Sequence, residues 1–352
     1  MKKIIVLIII ILSSCNQNNN FVSFKGKVIN PNSDSLLIYN NDYKKTIKLD
    51  EDNSFSDTLN IKAGKYIIYD GKYAVWSYLK NGYNIEMNVK PNILDSAGNK
   101  ISNFRESINF KGKGSDINNF LFEYNLRQSE SGMNLYDQMM SLDSIGINTA
   151  LDSINKIYIK EVSELTNDKN FLEIETTSRD NFKKSYISFW NTKQEISKHN
   201  GKKSPYFNYE NLLGGTTSID DLKGKFLYID IWATWCGPCK DEFPSFRKLE
   251  KKYHGIDYLD FVSISIDDIK DREKWIEMID KEKLSGTHLL ADKDWKSQYV
   301  IDNMIDQSGI PRYIIVDPKG YIVNSDAPRP SQEKKLYSII DNLNKNVVSQ
   351  WF

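Results

Sequence analysis

Between Phe21 and about Gly114 the chain alternates short runs of β-branched and aromatic residues with turn-forming clusters. The runs are Phe24–Val28, Leu36–Tyr39, Ile47–Leu49, Tyr66–Tyr69, Ala74–Leu79 and Asn84–Val89. Asn30-Pro31-Asn32, Asp52-Asn53, Lys62-Ala63-Gly64 and Asn81-Gly82 separate them. Strands at this spacing predict a small antiparallel β-sandwich over residues 21–114. From Asp116 the period changes to that of helices. Ile117, Phe120, Leu121 and Tyr124 share one face, as do Leu151, Ile154, Ile157 and Tyr158, and Phe182, Tyr186 and Phe189 repeat the pattern with no proline in the stretch. This predicts a helical middle region over 115–200. Aromatic stripes of this kind are packing faces far more often than ligand sites.

Gly201-Lys202-Lys203-Ser204-Pro205 marks a boundary, and the pattern beyond it is mixed. The turn Gly214-Gly215 comes first. Phe226–Ile231 then reads as a buried strand, followed by a helix to about Tyr253 with Phe243, Phe246 and Leu249 on one face. Tyr258–Ile266 reads as a parallel strand ending in Asp267-Asp268. Asp271–Glu282 is a helix with Trp275, Ile276 and Ile279 inward, and His288–Leu290 a short strand. Tyr313–Val316 and Tyr321–Val323 form a hairpin about Pro318-Lys319-Gly320, and Ser331–Asn344 closes as a helix. The period switching from 2 to 3.6 and back predicts an α/β domain over 204–352.

Length and charge narrow the classes. The 352 residues suffice for two or three domains. With 47 basic and 47 acidic residues the chain has no net charge, which gives no footing for nucleic acid. Met1-Lys2-Lys3 followed by the nine apolar residues Ile4–Leu12 is too short to span a bilayer and right for a signal-peptide core. Leu12-Ser13-Ser14-Cys15 closes it, so residues 1–15 resemble the signal and lipobox of bacterial lipoproteins. That resemblance implies lipid on Cys15, followed by a polar tether over 16–20. Asn16, where Asp would favour inner-membrane retention, favours the outer membrane. A plain secretory signal with an incidental cysteine is the alternative.

Of the three cysteines, Cys15 is then spoken for, and Cys236 and Cys239 remain as a free pair in an exported protein. They lie in Trp232-Ala233-Thr234-Trp235-Cys236-Gly237-Pro238-Cys239, where the buried strand turns into the helix. The first-turn N–H groups and helix dipole favour a negative sulfur on Cys236. Cys239 is one turn further in, within reach to close a disulfide. Pro238 suits a first-turn position, where its missing N–H costs nothing.

This run is similar to the WCGPC active site of the thioredoxin superfamily. Glu242 and Pro244 match the C-x-x-C-x-x-E-x-P pattern of its membrane-anchored TlpA/ResA branch. Gly309-Ile310-Pro311 resembles the segment that carries the family's cis-proline, and Tyr313–Asp317 with Gly320 the strand and turn after it. The β-rich region likewise resembles the domain that precedes thioredoxin modules in lipoproteins of Bacteroidetes-type bacteria. The resemblance implies a thioredoxin fold over 204–352, with an insertion near 286–306, and a protein-disulfide reductase that needs no cofactor or metal. Cys236 is the expected attacking thiolate, exposed at the helix start, and Cys239 the resolving thiol. Asp230 and Glu242 are the candidate acceptors of the Cys239 proton, Glu242 being expected nearer the surface. Trp235, Gly237, Pro238, Ile310 and Pro311 are expected at the substrate, with Trp235 shielding the disulfide. Two positions depart from the branch: Arg312 stands where Thr is usual, and Asp230 where Asn is frequent.

The partners implied are disulfide-containing exported proteins, a DsbD-like inner-membrane electron donor, and a membrane through the lipid. Gly237-Pro238 and Ile310 are the choices of thioredoxin, which is reducing at about −270 mV against about −120 mV for DsbA. A thiol peroxidase is the first alternative, but it needs a single peroxidatic cysteine with a proline upstream, which is missing. A binding lipoprotein with an incidental thioredoxin module is the second. A zinc half-site fits worse, since no second cysteine pair exists and His199, His254 and His288 lack ligand spacing.

Overall fold

The computed structural model describes residues 20–89 and 108–349. The signal-like segment with Cys15, and the tether up to residue 19, lie outside the described residues. The chain divides into two compact units, Met1–Lys184 and Ser185–Phe352.

In the first unit, β1 (Val22–Val28), β2 (Ser35–Tyr39), β3 (Lys44–Lys48), β4 (Ser54–Leu59), β5 (Gly64–Tyr69), β6 (Ala74–Leu79), β7 (Asn84–Val89) and β8 (Ile108–Lys113) form two four-stranded sheets. Their orders are β4-β1-β7-β8 and β3-β2-β5-β6. Phe24, Ile85, Met87 and Phe110 of one sheet and Leu36, Ile38, Tyr66 and Ile68 of the other share one apolar core. The expectation of purely antiparallel pairing needs correcting. β1 and β7 run parallel, with Ser23 opposite Asn84 and Val28 opposite Val89. The chain visits the other sheet between them, and such a crossover is what allows parallel neighbours. At their contact a Cβ on Gly26 would sit 1.8 Å from the Met87 carbonyl oxygen, so glycine is required.

Three helices follow: α1 (Ser115–Met140), α2 (Ser144–Leu165) and α3 (Lys169–Ser197). Ile117, Leu121, Tyr158, Val162 and Phe171 pack with Tyr78 of β6. Asn118 acts as a surrogate strand on β6: it accepts from the Tyr78 N–H (2.8 Å) and donates to the Tyr78 carbonyl (3.0 Å). The fully buried Glu175 is matched by Lys65 Nζ at 2.6 Å and by the Tyr158 hydroxyl at 2.6 Å. The chain divides inside α3, between Lys184 and Ser185.

The second unit holds the end of α3 and β9 (Asn208–Asn211), β10 (Thr216–Ser218), β11 (Phe226–Trp232), α4 (Gly237–Lys252), β12 (Leu259–Ser265), α5 (Arg272–Glu282), β13 (Thr287–Leu290), α6 (Gln298–Asp302), α7 (Ile305–Ser308), β14 (Arg312–Val316), β15 (Ile322–Asn324) and α8 (Glu333–Ser349). One seven-stranded sheet runs β10-β9-β13-β12-β11-β14-β15. β11 lies inside it, parallel to β12 and antiparallel to β14, and all seven of its residues are buried. A continuous apolar run is what a strand covered on both faces requires. Leu227, Ile229 and Ile231 face a core with Trp275, Ile279 and Tyr299. Phe226 and Tyr228 face the other core with Phe246, Leu249, Leu336 and Ile340 of α4 and α8. Trp232 meets Phe243 edge to face at 5.2 Å, joining the end of the strand to the first turns of α4. Truncating a side chain so enclosed typically costs about 3–5 kcal/mol.

Candidate active site

Cys236 and Cys239 are joined by a disulfide. β11 ends at Trp232, Ala233–Trp235 turn, and Cys236 caps α4, whose Cys239 N–H donates to Cys236 Sγ at 3.2 Å. The free N–H groups of a helix start thus point at the first sulfur, which lowers the cost of a thiolate there. Pro238 occupies the first turn, where no donor is lost. In this oxidised state neither sulfur-bearing residue is open to solvent. Cys236 is 5% exposed against 2% for Cys239, so the expected exposed position of Cys236 is corrected. The order of accessibility agrees with the expectation, but the margin is narrow.

Trp235 is 54% exposed and leans on Trp295, with ring centroids 5.9 Å apart. An open cleft of about 450 Å³ adjoins it, lined by Thr234, Trp235, Asp271, Lys274, Met278 and Lys281 among others.

Ile310-Pro311 is a cis peptide, and the Ile310 carbonyl oxygen lies 3.9 Å from Cys236 Sγ. Gly309, at φ 79°, turns the chain out of α7 into this loop. Arg312, at the head of β14, is 2% exposed, and its guanidinium donates to the Ser325 carbonyl and the Ser308 hydroxyl.

Two carboxylates stand behind the pair. Asp230 is buried in β11, and its Oδ1 has no hydrogen-bond partner among the described residues. Burial, reinforced by the nearby Glu242 charge, holds its carboxyl well above the usual range, with the Tyr313 hydroxyl working against the shift. Glu242 is not the surface group that its helix position suggests. It is 6% exposed, and it accepts from the Ser331 N–H at 2.9 Å and the Ser331 hydroxyl at 2.8 Å. The segment leading into α8 covers that face of α4, which helix periodicity could not reveal.

One residue escaped sequence reasoning. Asp267, fully buried just past the end of β12, accepts from the Thr234 N–H (2.9 Å), the Thr234 hydroxyl (2.7 Å) and the Ser265 hydroxyl (2.6 Å). It fastens the turn two residues before Cys236. An acid at the carboxyl end of the strand that pairs in parallel with β11 was the available signal, since sites in α/β sheets form there. Among the described residues no cluster of three or more His, Cys, Asp or Glu side chains could hold a metal.

Residues 200–325 match the AhpC/TSA family. The chain is 31% identical over 132 residues to the thioredoxin-like protein YneN of Bacillus subtilis, a match spanning 37% of this chain and 73% of that protein. It is 29% identical over 138 residues to the thiol-disulfide oxidoreductase ResA of the same organism, spanning 39% and 72%. The thioredoxin domain of a thiol-disulfide oxidoreductase from Bacteroides vulgatus resembles it with 26% identity and a TM-score of 0.36, over 41% of this chain and 96% of that one.

Proposed function

Because the chain belongs to the TlpA/ResA-like branch of the thioredoxin superfamily, we propose that it is a thiol-disulfide oxidoreductase working through Cys236 and Cys239, reducing disulfides of exported proteins. The observation that carries this reading is the Cys236–Cys239 disulfide at the start of α4, reached by a strand that holds the buried Asp230, whose carboxyl burial raises above its usual range.

In the reduced enzyme the Cys236 thiolate attacks a substrate disulfide. One substrate sulfur joins Cys236 and the other leaves as a thiolate that takes a proton from solvent. Cys239 then gives its proton to the ionised carboxylate of Asp230 and attacks Cys236 Sγ, expelling the second substrate sulfur as a thiolate that takes a proton from solvent. The substrate leaves as a dithiol, reduced by two electrons, and the enzyme is left as the disulfide of this structure. A DsbD-like dithiol donor at the inner membrane restores it by the reverse exchange. Trp235, Gly237, Pro238 and the Ile310-Pro311 loop frame the sulfur that meets substrate, and Glu242 supports Asp230.

The lipid anchor on Cys15, in the outer membrane, belongs to this reading and rests on the lipobox-like sequence. Among the described residues no helix is long and apolar enough to cross a membrane. The first unit, with its two sheets around one core, is read as a β-sandwich followed by the helical region.

Thiol trapping in intact cells tests the direction of electron flow. Cys236 and Cys239 should be found predominantly as free thiols. A pair found almost wholly oxidised contradicts a reductase. The AhpC/TSA match keeps one rival in play, a thiol peroxidase. Thiol-dependent consumption of hydrogen peroxide faster than that of protein disulfides would favour it.

A further inference from the structure

Arg312 is a buried cation beside the redox site that the dithiol mechanism does not use. Its Nε donates to the Ser325 carbonyl (2.9 Å) and lies 3.3 Å from Asp326 Oδ1. Its Nη1 donates to the Ser308 hydroxyl (2.9 Å), and its Nη2 also meets the Ser325 carbonyl. The 325–326 segment is fixed from behind as well. The Ser325 hydroxyl donates to the Ile196 carbonyl at 2.8 Å, and its N–H to Asn200 Oδ1 at 2.8 Å. Asp326 also takes Lys193 Nζ at 2.5 Å. A continuous set of bonds therefore runs from the last turns of α3 through Ser325 and Asp326 to Arg312, and from there to Ser308. Ser308 lies two residues ahead of Ile310, the residue whose carbonyl sits 3.9 Å from Cys236 Sγ.

Burying a guanidinium is costly unless its donors are met, and a planar fork can meet three groups at fixed angles where an ammonium cannot. The position is thus explained by what the fork holds together. We propose that Arg312 is a positioning residue. It clamps the Ser308–Pro311 loop to the 325–326 segment and so fixes the Ile310 carbonyl against which a substrate disulfide aligns at Cys236. Arg312 and Lys193 share the single carboxylate of Asp326, so the clamp is tested with a variant that keeps the cation and alters only the alignment of the loop.

This rests on the dithiol reductase reading, and the test separates the two. Reduction of insulin disulfides is compared with alkylation of Cys236 by iodoacetamide, a small electrophile that needs no aligned loop. Arg312→Lys keeps the charge but cannot span Ser308, Ser325 and Asp326. It should lower kcat/KM for insulin about tenfold, while the alkylation rate and its pH midpoint stay at the wild-type values. Ser308→Ala, which removes one arm of the clamp, should show the same split at about threefold. Equal losses in insulin reduction and alkylation, or no loss in either, overturn the proposal. If circular dichroism shows Arg312→Lys unfolded, Ser308→Ala decides alone. A wild type that does not reduce insulin overturns the reductase reading together with this inference, whereas an active wild type with unaffected variants overturns only the inference.

Discussion

Asp230 carries the sharpest consequence at the scale of single residues. Burial and the Glu242 charge raise its carboxyl well above the ordinary value, so the folded chain keeps that proton to higher pH than the unfolded chain, which releases it near pH 4. The folded state therefore binds more protons than the unfolded one between about pH 4 and the raised folded value, and stability falls as pH rises through that window. Asp230→Asn lacks this slope. Its melting temperature should exceed that of the wild type by an amount that grows with pH and vanishes below about pH 4. The same variant should resolve a Cys236 mixed disulfide about ten- to a hundredfold more slowly near pH 7 and recover at alkaline pH, where hydroxide can serve. A pH–rate profile overlaying the wild type contradicts the role of Asp230. The chemistry of the pair was legible from residue type and spacing: two cysteines at a strand-to-helix turn, an acid among Ile229, Ile231 and Trp232. The burial of Glu242 was not legible, because its partner Ser331 is 89 residues away in sequence.

At the scale of elements, α4 is tied to the segment that opens α8 through Glu242, whose two oxygens hold the Ser331 N–H and hydroxyl. Glu242→Ala removes both acceptors of Ser331, which is exposed enough for water to replace them, and should cost about 0.5–1.5 kcal/mol in denaturant unfolding. Glu242→Gln keeps an acceptor there but removes the charge that helps hold the Asp230 proton. The pH–rate midpoint for mixed-disulfide resolution should then move to lower pH. A midpoint that stays put or rises contradicts the coupling. Strands with long β-branched runs, such as β11, were readable from pattern. β4 was not, because in Ser-Phe-Ser-Asp-Thr-Leu only Phe55 and Leu59 turn inward on the edge of its sheet. β1 beside β7 could not be read either, since a parallel register depends on where the chain returns after leaving the sheet.

At the scale of the whole molecule, each of the two units has apolar clusters of its own. A fragment beginning at Ser185 should therefore unfold cooperatively and reduce insulin within about threefold of the full chain, as expected of a compact unit with its own core. A fragment that does not melt cooperatively shows that the redox unit depends on the first 184 residues. Cys15→Ser should move the full chain from the membrane fraction to the soluble fraction or leave it unprocessed. Unchanged fractionation, with no acyl label on the wild type, contradicts the anchor. The division inside α3 was invisible to pattern, because the helical period runs through it without a break.

The account turns on which sulfur meets substrate first, and disulfide trapping answers that most directly. Cys239→Ser and Cys236→Ser full-length proteins are expressed in cells, and mixed disulfides are isolated after acid quenching and mapped by mass spectrometry. The account predicts abundant adducts through Cys236 in Cys239→Ser and few in Cys236→Ser. Equal trapping by the two variants, or adducts chiefly through Cys239, contradicts it.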